Sequence, residues 1–385
     1  MIKIGFISHL YPTKLNPYQG KFIQDLFIRI NDIENIQADL IMPTPRSIPC
    51  TSRQKINNSE ILENDNLSSK VSYISFPKQL FPKIIKLSLS NSLLRFFKNK
   101  DYDIIHINWL YPDGLALSKL KKKGYKVILH THGSDWESNK NKPKMASFFK
   151  ENFELADRII TVGPDLSESI ESKFPFTKDK IETIYNSVDS LIYKVPSKST
   201  KVSSKKNLNW DINKKHALTV ANIRSEKGVD TLIKTIKDNK KLKNIQFHII
   251  GKKESNSFSD EIRSLIDDSE FRNIIIHDPV PPKQLLQYYY AADFYISPSR
   301  REGFGLALVE ACFTGLPFIA TPVGIAPRLS EIGCGILLGR EEFHKIDQYL
   351  DLLPPHFSEK VQIALEESFG VNKLLDRWEQ LFESL

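Results

Sequence analysis

Short apolar runs alternate with amphipathic stretches along the first half of the chain. Runs that read as buried strands cover residues 3–8, 38–42, 104–107, 127–131 and 158–162. Stretches with the apolar spacing of helices cover residues 21–33, 114–123 and 164–173. Buried strands that alternate with helices indicate a doubly wound α/β domain built on a parallel sheet.

The same alternation restarts after a stretch rich in Ser and Lys. We predict a first domain over residues 1–190, a linker over 191–206 and a second domain over 207–370. The predicted strands of the second domain are residues 216–220, 245–250, 274–276, 294–296 and 318–320. Its predicted helices are residues 229–237, 283–291 and 306–314, and residues 371–385 form a final amphipathic helix. The fold class is therefore α/β, with two doubly wound parallel-sheet domains.

Composition is that of a globular protein with more than one domain. A length of 385 residues exceeds what one hydrophobic core usually supports. No apolar run approaches the roughly 18 residues of a membrane span, and the first residues read as a strand rather than a signal peptide. The widely spaced Cys50, Cys312 and Cys334 cannot all pair and form no metal-type cluster, which favours a reducing compartment. We therefore expect a cytoplasmic protein.

The positive charge is concentrated in one segment. The whole chain has a formal net charge of +8, whereas residues 66–150 carry sixteen Lys and Arg against five Asp and Glu. Within this segment, residues 81–126 contain a predicted amphipathic helix whose apolar stripe is flanked by Lys83, Lys86, Arg95 and Lys98. Such a region favours attachment to an anionic membrane surface. The alternative is a core-packed helix with a solvated basic face. We expect no nucleic-acid partner, because no nucleic-acid module accompanies the charge.

One carboxylate stands inside an otherwise apolar predicted helix. Glu310 lies about one turn into the helix that follows a glycine-containing loop, and Glu302 lies in that loop. A buried charge costs several kcal/mol, roughly, unless it has a partner, so Glu310 is a candidate ligand for hydroxyl groups such as those of a ribose. Gly303 and Gly305 would let backbone N–H groups approach a ligand. The alternative is a surface loop with a chance glutamate.

The run E-G-F-G-L-A-L-V-E-A from Glu302 resembles the E-x7-E element of retaining GT-B glycosyltransferases of family 4. The resemblance implies that Glu302 reaches the donor sugar and that Glu310 holds the nucleotide ribose. It implies two Rossmann-like domains that face a cleft, with a final helix that crosses back to the first domain. By the same resemblance, the loop between the two glutamates contacts the donor through Gly303, Phe304, Gly305 and Leu306.

A basic loop follows the first predicted strand of the second domain. Lys227 and Arg224 there could neutralise a diphosphate as ligand and as leaving group. The loop resembles the G-R-L-x-x-x-K-G element of the family, in which Lys227 and Gly228 match. Asn222 occupies the usual arginine position, so Arg224 is the candidate to supply that charge.

A histidine-containing loop ends one strand of the first domain. The run H-T-H-G-S-D from residue 130 resembles the H-G-x-D loop of the family, whose histidine contacts the donor sugar near the reacting carbon. His132 and Asp135 are therefore the catalytic candidates of the first domain, together with Glu302 and Lys227 in the second.

Further segments resemble ligand-contacting parts of the family. Gly20 would open the helix after it toward the donor phosphates, and Gly251 and Val280 would lie near the base. The acceptor side is assigned to His106, Asn108 and Tyr111. Asn186-Ser187-Val188-Asp189 resembles the family's hinge N-G-V-D, with Ser187 replacing glycine, and Arg328 replaces an acid of another family element.

Asp101 and Asp103 suggest a metal-binding D-x-D motif, but they precede a strand and would lie away from the ligand edge. We therefore expect no metal and no cofactor, with a UDP- or GDP-linked sugar as co-substrate. The expected activity is retaining transfer to a glycan in bacterial surface polysaccharide synthesis, and we expect that glycan to be lipid-linked. The alternatives are a nucleotide-sugar 2-epimerase on the same fold, or a catalytically weak nucleotide-sugar-binding protein.

Overall fold

A computed structural model describes residues 1–13, 19–46, 68–75, 82–253, 257–266 and 272–385. The chain forms two compact units. Unit 1 comprises Met1–Asn186 and Leu374–Leu385, and unit 2 comprises Ser187–Lys373. Cys50 and Phe81, the predicted start of the basic helix, lie outside the described residues.

Unit 1 is built on seven parallel strands in the order β3-β2-β1-β4-β5-β6-β7. The strands are β1 Ile2–Ile7, β2 Ile36–Arg46, β3 Ser68–Ile74, β4 Ile104–Asn108, β5 Lys126–Thr131, β6 Arg158–Thr161 and β7 Ile181–Thr183. The α-helices are α1 Lys21–Asn31, α2 Pro82–Phe97, α3 Leu117–Lys121, α4 Ser134–Glu137, α5 Pro143–Leu155 and α6 Pro164–Lys173. Short 3₁₀-helices cover Asp113–Ala116 and Pro175–Thr177.

Unit 2 is built on six parallel strands in the order β10-β9-β8-β11-β12-β13. The strands are β8 Lys215–Val220, β9 Ile245–Ile250, β10 Ile274–His277, β11 Phe294–Ser297, β12 Phe318–Ala320 and β13 Gly335–Leu337. The α-helices are α7 Lys198–Asn207, α8 Val229–Asp238, α9 Ser257–Ile266, α10 Pro282–Ala291, α11 Leu306–Phe313, α12 Ala326–Ile332 and α13 Glu359–Phe369. The 3₁₀-helices are Ser225–Lys227, Lys240–Asn244, Arg340–Gln348 and Leu350–Leu352.

The strand order of unit 2 reverses between β8 and β11. From β8 the chain proceeds to β9 on one side, while β11 pairs with β8 on the other side. Open α/β sheets bind ligands at the carboxyl ends of the strands where the order reverses. The loops after β8 and β11 are therefore the expected position of a site in this unit.

The final helix packs on unit 1. Helix α14, Val371–Glu383, places Leu374, Trp378 and Phe382 in the same core cluster as β1 and α1. Trp378 is fully buried, and its ring lies 4.9 Å from that of His106 on β4. The last twelve residues thus complete the core of unit 1, although the 187 residues of unit 2 lie between them and the rest of unit 1 in the sequence.

The segment predicted as a linker is partly helical. Helix α7 occupies Lys198–Asn207, and the Ser197 hydroxyl caps it by accepting a hydrogen bond from the Thr200 N–H at 3.1 Å. Lys205 is only 7% exposed because its ammonium group binds Asp293 at 2.9 Å. The predicted linker over residues 191–206 therefore ends in a helix. Lys201 and Lys205 both pair with Asp293, and these ion pairs and the serine cap contribute to holding the helix.

Among the described helices, none combines the length and the hydrophobicity needed to cross a bilayer.

Strands β3, β7 and β13 were not predicted. β7 and β13 have three half-buried residues each, too short a pattern to distinguish from a loop.

Three histidines form a hydrogen-bonded row across neighbouring strands of unit 2. His216 Nδ1 lies 3.0 Å from His248 Nε2, and His248 Nδ1 lies 3.0 Å from His277 Nε2. His216 Nε2 lies 2.8 Å from the carbonyl oxygen of Asp211, which can only accept, so this nitrogen carries the proton. The hydrogen bonds of the row then fix one tautomer for each ring. Neither His216 nor His248 can gain a proton without breaking the hydrogen bond that its Nδ1 accepts. The pKa of His248 is lowered to about 2, mainly by burial and to a smaller extent by the neighbouring His277 and His216.

We expect unit 2 to lose stability as the pH falls below about 6.5, the pKa of an unfolded histidine. When folding lowers the pKa of a histidine, the free energy of unfolding is unaffected by that histidine above the unfolded-state pKa. One pH unit below the unfolded-state pKa, the free energy of unfolding is lower by about 1.4 kcal/mol. His248→Gln, whose amide can make both hydrogen bonds, should reduce the loss between pH 7.5 and 5.5 by about this amount in urea unfolding. Substitution of the exposed His356 by Gln is the control. Equal pH dependence in wild type and His248→Gln would contradict the assignment.

Candidate active site

The loops after β8 and β11 of unit 2 are hydrogen-bonded to each other where the strand order of the sheet reverses. The backbone N–H groups of Arg300 and Arg301 both donate to the carbonyl oxygen of Glu226, at 2.7 and 3.2 Å. The Arg300 guanidinium makes two hydrogen bonds to Asp230, at 2.8 and 2.6 Å, and one to Thr231 at 2.9 Å. Burial alone would raise the pKa of Asp230, but hydrogen bonds and charge from Arg300 lower it below its usual value. Arg300 is therefore a structural bridge between the loops.

This fastening brings Lys227 and Glu302 together. The Lys227 ammonium group lies 2.6 Å from Glu302 Oε2, and the Ser299 hydroxyl donates to Oε1 at 2.7 Å. The side chains are 26% and 14% exposed, so the ion pair is partly buried but reachable by a ligand. The two groups predicted to contact different parts of one ligand are thus in direct contact. They line a cavity of about 100 Å³ together with Thr219, Ser297 and the start of α11.

Helix α11 begins at this cavity. Gly305 precedes it with a φ of 105°, a conformation that disfavours other residues. Glu310 is half-buried on α11. Its Oε2 accepts a hydrogen bond from the Tyr289 hydroxyl at 2.8 Å, and its Oε1 accepts one from the Tyr193 hydroxyl at 3.1 Å. The predicted buried carboxylate is thus stabilised by two phenols.

The other predicted donor-site residues of unit 2 have mainly structural contacts. A Cβ at Gly251 would lie 1.9 Å from the carbonyl oxygen of Ala221, so this glycine lets two loops touch. Asn222 accepts a hydrogen bond from the Lys252 N–H at 3.1 Å. Arg224 is half-exposed, 3.9 Å from Glu226, and does not line the cavity beside Lys227. Its predicted replacement of the family arginine is not supported by this position. Val280 is half-buried before α10.

The loop after β5 of unit 1 is organised by Asp135. Its Oδ1 accepts hydrogen bonds from the Thr131 hydroxyl at 2.9 Å and the His132 N–H at 3.3 Å. Its Oδ2 accepts one from the Leu110 N–H at 2.7 Å. Burial raises the pKa of Asp135, although these hydrogen bonds oppose the shift. Asp135 therefore positions the loop that carries His132.

His132 is held as a neutral imidazole. Asn108 donates to the carbonyl oxygen of Ile7 at 3.2 Å, which turns its amide oxygen toward His132 Nε2, 3.4 Å away. Nε2 is then the protonated nitrogen, and among the described residues Nδ1 has no hydrogen-bond partner. Burial lowers the pKa of His132 well below its usual value, and the neighbouring His130 lowers it further. The ring can accept a hydrogen bond but brings no positive charge.

The predicted acceptor residues separate into different environments. His106 is fully buried in the middle of β4, where its ring packs 4.9 Å from both Phe6 and Trp378. The prediction that it lines an acceptor site is therefore wrong, because β4 is covered on both faces. Asn108 is also fully buried and positions His132. Tyr111 is half-buried in the loop after β4, and burial raises its pKa.

Gly20 caps α1 with a φ of 74°, and a Cβ there would lie 2.9 Å from the Leu10 carbonyl group. Asp103 lies at the amino end of β4 and accepts a hydrogen bond from the Lys3 N–H at 2.8 Å, as its position before the strand predicts. Sequence reasoning missed Tyr193, Tyr289, Asp230 and Ser299. Ser299 and Asp230 stand beside recognised motifs, whereas Tyr193 and Tyr289 reach the site from other segments.

Two family models match the chain. The model "Glycosyl transferases group 1" matches residues 201–346, and "Glycosyltransferase Family 4" matches residues 57–190. An uncharacterized 41.2 kDa protein in the cps region of Klebsiella pneumoniae is 26% identical over 77% of this chain and 83% of the relative. TuaC of Bacillus subtilis, whose name assigns it to teichuronic acid biosynthesis, is 23% identical over 84% of this chain and 82% of the relative.

Among solved structures, HepE of Anabaena in complex with UDP-glucose superimposes with a TM-score of 0.74 at 16% identity. The match covers 100% of each chain. At this identity the likeness establishes the fold.

We expect Gly324→Ala to disturb the loop between Glu302 and α11. The added Cβ would lie 2.5 Å from the Phe304 carbonyl oxygen and 2.7 Å from Glu302 Cβ. Gly124→Ala is the matched control, since its φ is also positive but nothing lies within 4 Å. Gly324→Ala should lose about 1–3 kcal/mol more than the control in urea unfolding. Amide exchange of residues 302–306 should also accelerate in Gly324→Ala alone. Equal losses in both variants would contradict the close approach.

Proposed function

The chain belongs to the group 1 glycosyltransferases and has their GT-B fold, and on this premise we propose that it moves a sugar from a nucleotide-diphosphate sugar to a glycan with retention of configuration. The observation that carries the proposal is the Lys227–Glu302 pair beside the start of α11. It places a cation, a carboxylate and a helix N-terminus around one cavity. These are the groups that a sugar diphosphate requires.

The donor would bind through three contacts in unit 2. Lys227 and the N-terminus of α11 attract the diphosphate, and Glu302 faces the sugar hydroxyls. Glu310 accepts hydrogen bonds from the ribose. The complex of HepE with UDP-glucose, which has the same fold, supports a UDP-linked donor. Lys227 supplies the cationic charge in this proposal, which therefore requires no metal.

Cleavage of the anomeric C–O bond develops positive charge on the sugar and negative charge on the leaving diphosphate. Lys227 would stabilise the diphosphate, and His132, which the family resemblance assigns to the donor sugar, is a neutral imidazole that brings no positive charge. We infer same-face displacement, in which the leaving phosphate accepts the proton of the acceptor hydroxyl. Each bond change then balances without an external base.

For the acceptor we propose a lipid-linked glycan of bacterial surface polysaccharide. The supporting names are those of relatives, one in a cps region and one assigned to teichuronic acid biosynthesis. Helix α2 adds a structural argument. Its inner face is buried through Ile85, Leu89 and Leu93, while Ile84 and Leu87 on its outer face are 41% and 54% exposed.

Exposed basic residues surround these apolar side chains. They are Lys83, Arg95 and Lys98. Ile74 at the end of β3 is 47% exposed, and its N–H binds the Ser88 hydroxyl of α2 at 2.8 Å. An apolar centre with a basic surround suits an anionic lipid surface, which a solvated basic face alone would not require. We name this surface the α2 patch.

Lys227→Ala should weaken binding of UDP, or of GDP if that is the donor base, by about 10- to 100-fold. The loss corresponds to a charged hydrogen bond of roughly 1.5–3 kcal/mol. Isothermal titration calorimetry measures it, and Lys234→Ala on the exposed side of α8 is the control. Unchanged affinity in Lys227→Ala would remove Lys227 from the donor site.

Replacing Lys83, Arg95 and Lys98 by Glu should weaken binding to phosphatidylglycerol vesicles by more than about tenfold, since each basic residue contributes about 1 kcal/mol. Co-sedimentation checks this. The control carries Glu at the exposed Lys206, Lys214 and Lys240 of unit 2, which preserves the change in net charge. Equal loss in both triple variants would show a general charge effect and reject the α2 patch.

A further inference from the structure

We propose that Tyr193 and Tyr289 form a hydroxyl clamp that orients the Glu310 carboxylate, and that the Tyr193 hydroxyl makes the site selective for ribose over deoxyribose. The inference rests on the proposed function, because it assigns Glu310 to the ribose. It adds a specificity-determining residue outside the motifs that carry the family resemblance.

The clamp has one member on each carboxylate oxygen. The Tyr289 hydroxyl lies 2.8 Å from Glu310 Oε2, and the Tyr193 hydroxyl lies 3.1 Å from Oε1. A carboxylate held at one oxygen can still turn about its terminal bond. Hydrogen bonds at both oxygens, from different segments, fix its plane. A vicinal diol needs a fixed plane to bind both of its hydroxyls, so the clamp prepares the carboxylate before the ligand arrives.

The two tyrosines differ in how firmly they are held. Tyr289 on α10 is 1% exposed, and its hydroxyl also lies 3.2 Å from the Ala307 carbonyl oxygen. Burial is the largest cause of a strongly raised pKa at Tyr289, so its hydroxyl stays protonated and donates. Tyr193 is half-buried in the segment between β7 and α7, and its ring lies 6.2 Å from that of Tyr289.

Of the two tyrosines, Tyr193 is the one that can be substituted without disturbing the buried core. Its segment borders a second cavity, of about 210 Å³, whose wall includes Val195, Phe313 and Leu365. Phenylalanine at position 193 keeps the ring in this wall and removes only the oxygen that reaches Glu310. Position 290 offers a matched control, because the Tyr290 hydroxyl lies 3.5 Å from the carbonyl oxygen of Ile192 in the same segment.

The test compares the affinities of the full chain for UDP and 2′-deoxy-UDP, and for GDP and 2′-deoxy-GDP, by calorimetry. Wild type should prefer the ribonucleotide by about tenfold or more, the value of one hydrogen bond to a charged group. Tyr193→Phe should reduce that preference to about threefold or less, while Tyr290→Phe keeps it. Thermal unfolding midpoints of both variants should match wild type, which separates a change in selectivity from a loss of fold.

Failure of the inference is distinguishable from failure of the proposed function. If wild type binds neither UDP nor GDP, the donor assignment itself fails. If wild type binds and Glu310→Gln abolishes the ribose preference while Tyr193→Phe retains it, the donor site stands and the clamp is rejected. An equal drop in affinity for the ribose and deoxyribose forms in Tyr193→Phe would likewise reject selectivity at this residue.

Discussion

The close approach of two backbone loops at the reversal point of the second sheet is the constraint on which the site depends. A Cβ at Gly228 would lie 2.0 Å from the Pro298 carbonyl oxygen, so only glycine allows the loops after β8 and β11 to touch. Arg300 then fastens them through Asp230. As a result Lys227 and Glu302, separated by 75 residues, come within 2.6 Å. The ion pair between Lys227 and Glu302 therefore depends first on the close backbone contact that Gly228 allows, and only then on the attraction between the two charges.

Three ionisable side chains are held by neutral hydrogen-bond partners, in contrast to the Arg300–Asp230 and Lys205–Asp293 ion pairs. His132 remains neutral because its neighbours cannot solvate a cation, and Asp135 is held by N–H and hydroxyl donors. Glu310 receives two phenol hydroxyls. Neutral donors orient a group without cancelling its charge. A reaction that separates charge benefits from such groups, because fixed dipoles need not reorganise when charge develops.

The sequence predicted the two sheets and the residues that stand next to motifs. Lys227, Glu302 and Glu310 could be identified because glycines and apolar runs mark their loops. Contacts between distant segments left no local signal, which is why Tyr193 and the Arg300–Asp230 bridge were missed. His106 was misplaced because β4 is covered on both faces, and a motif does not say which of its members is buried. Helix α7 was read as a linker because its stability comes from Lys205 and Asp293.

The contact between Lys227 and Glu302 limits how a diphosphate can bind. Removing the ammonium group from Glu302, which is 14% exposed, would leave a partly buried carboxylate with Ser299 as its remaining partner in the site, at a cost of several kcal/mol, roughly. An ammonium group has three donors, so it can bind a phosphate oxygen while it keeps Glu302. The phosphate would then add to the pair instead of breaking it. Because one cation would hold both, arrival of the proposed diphosphate would tighten the position of Glu302, the carboxylate that we propose faces the sugar.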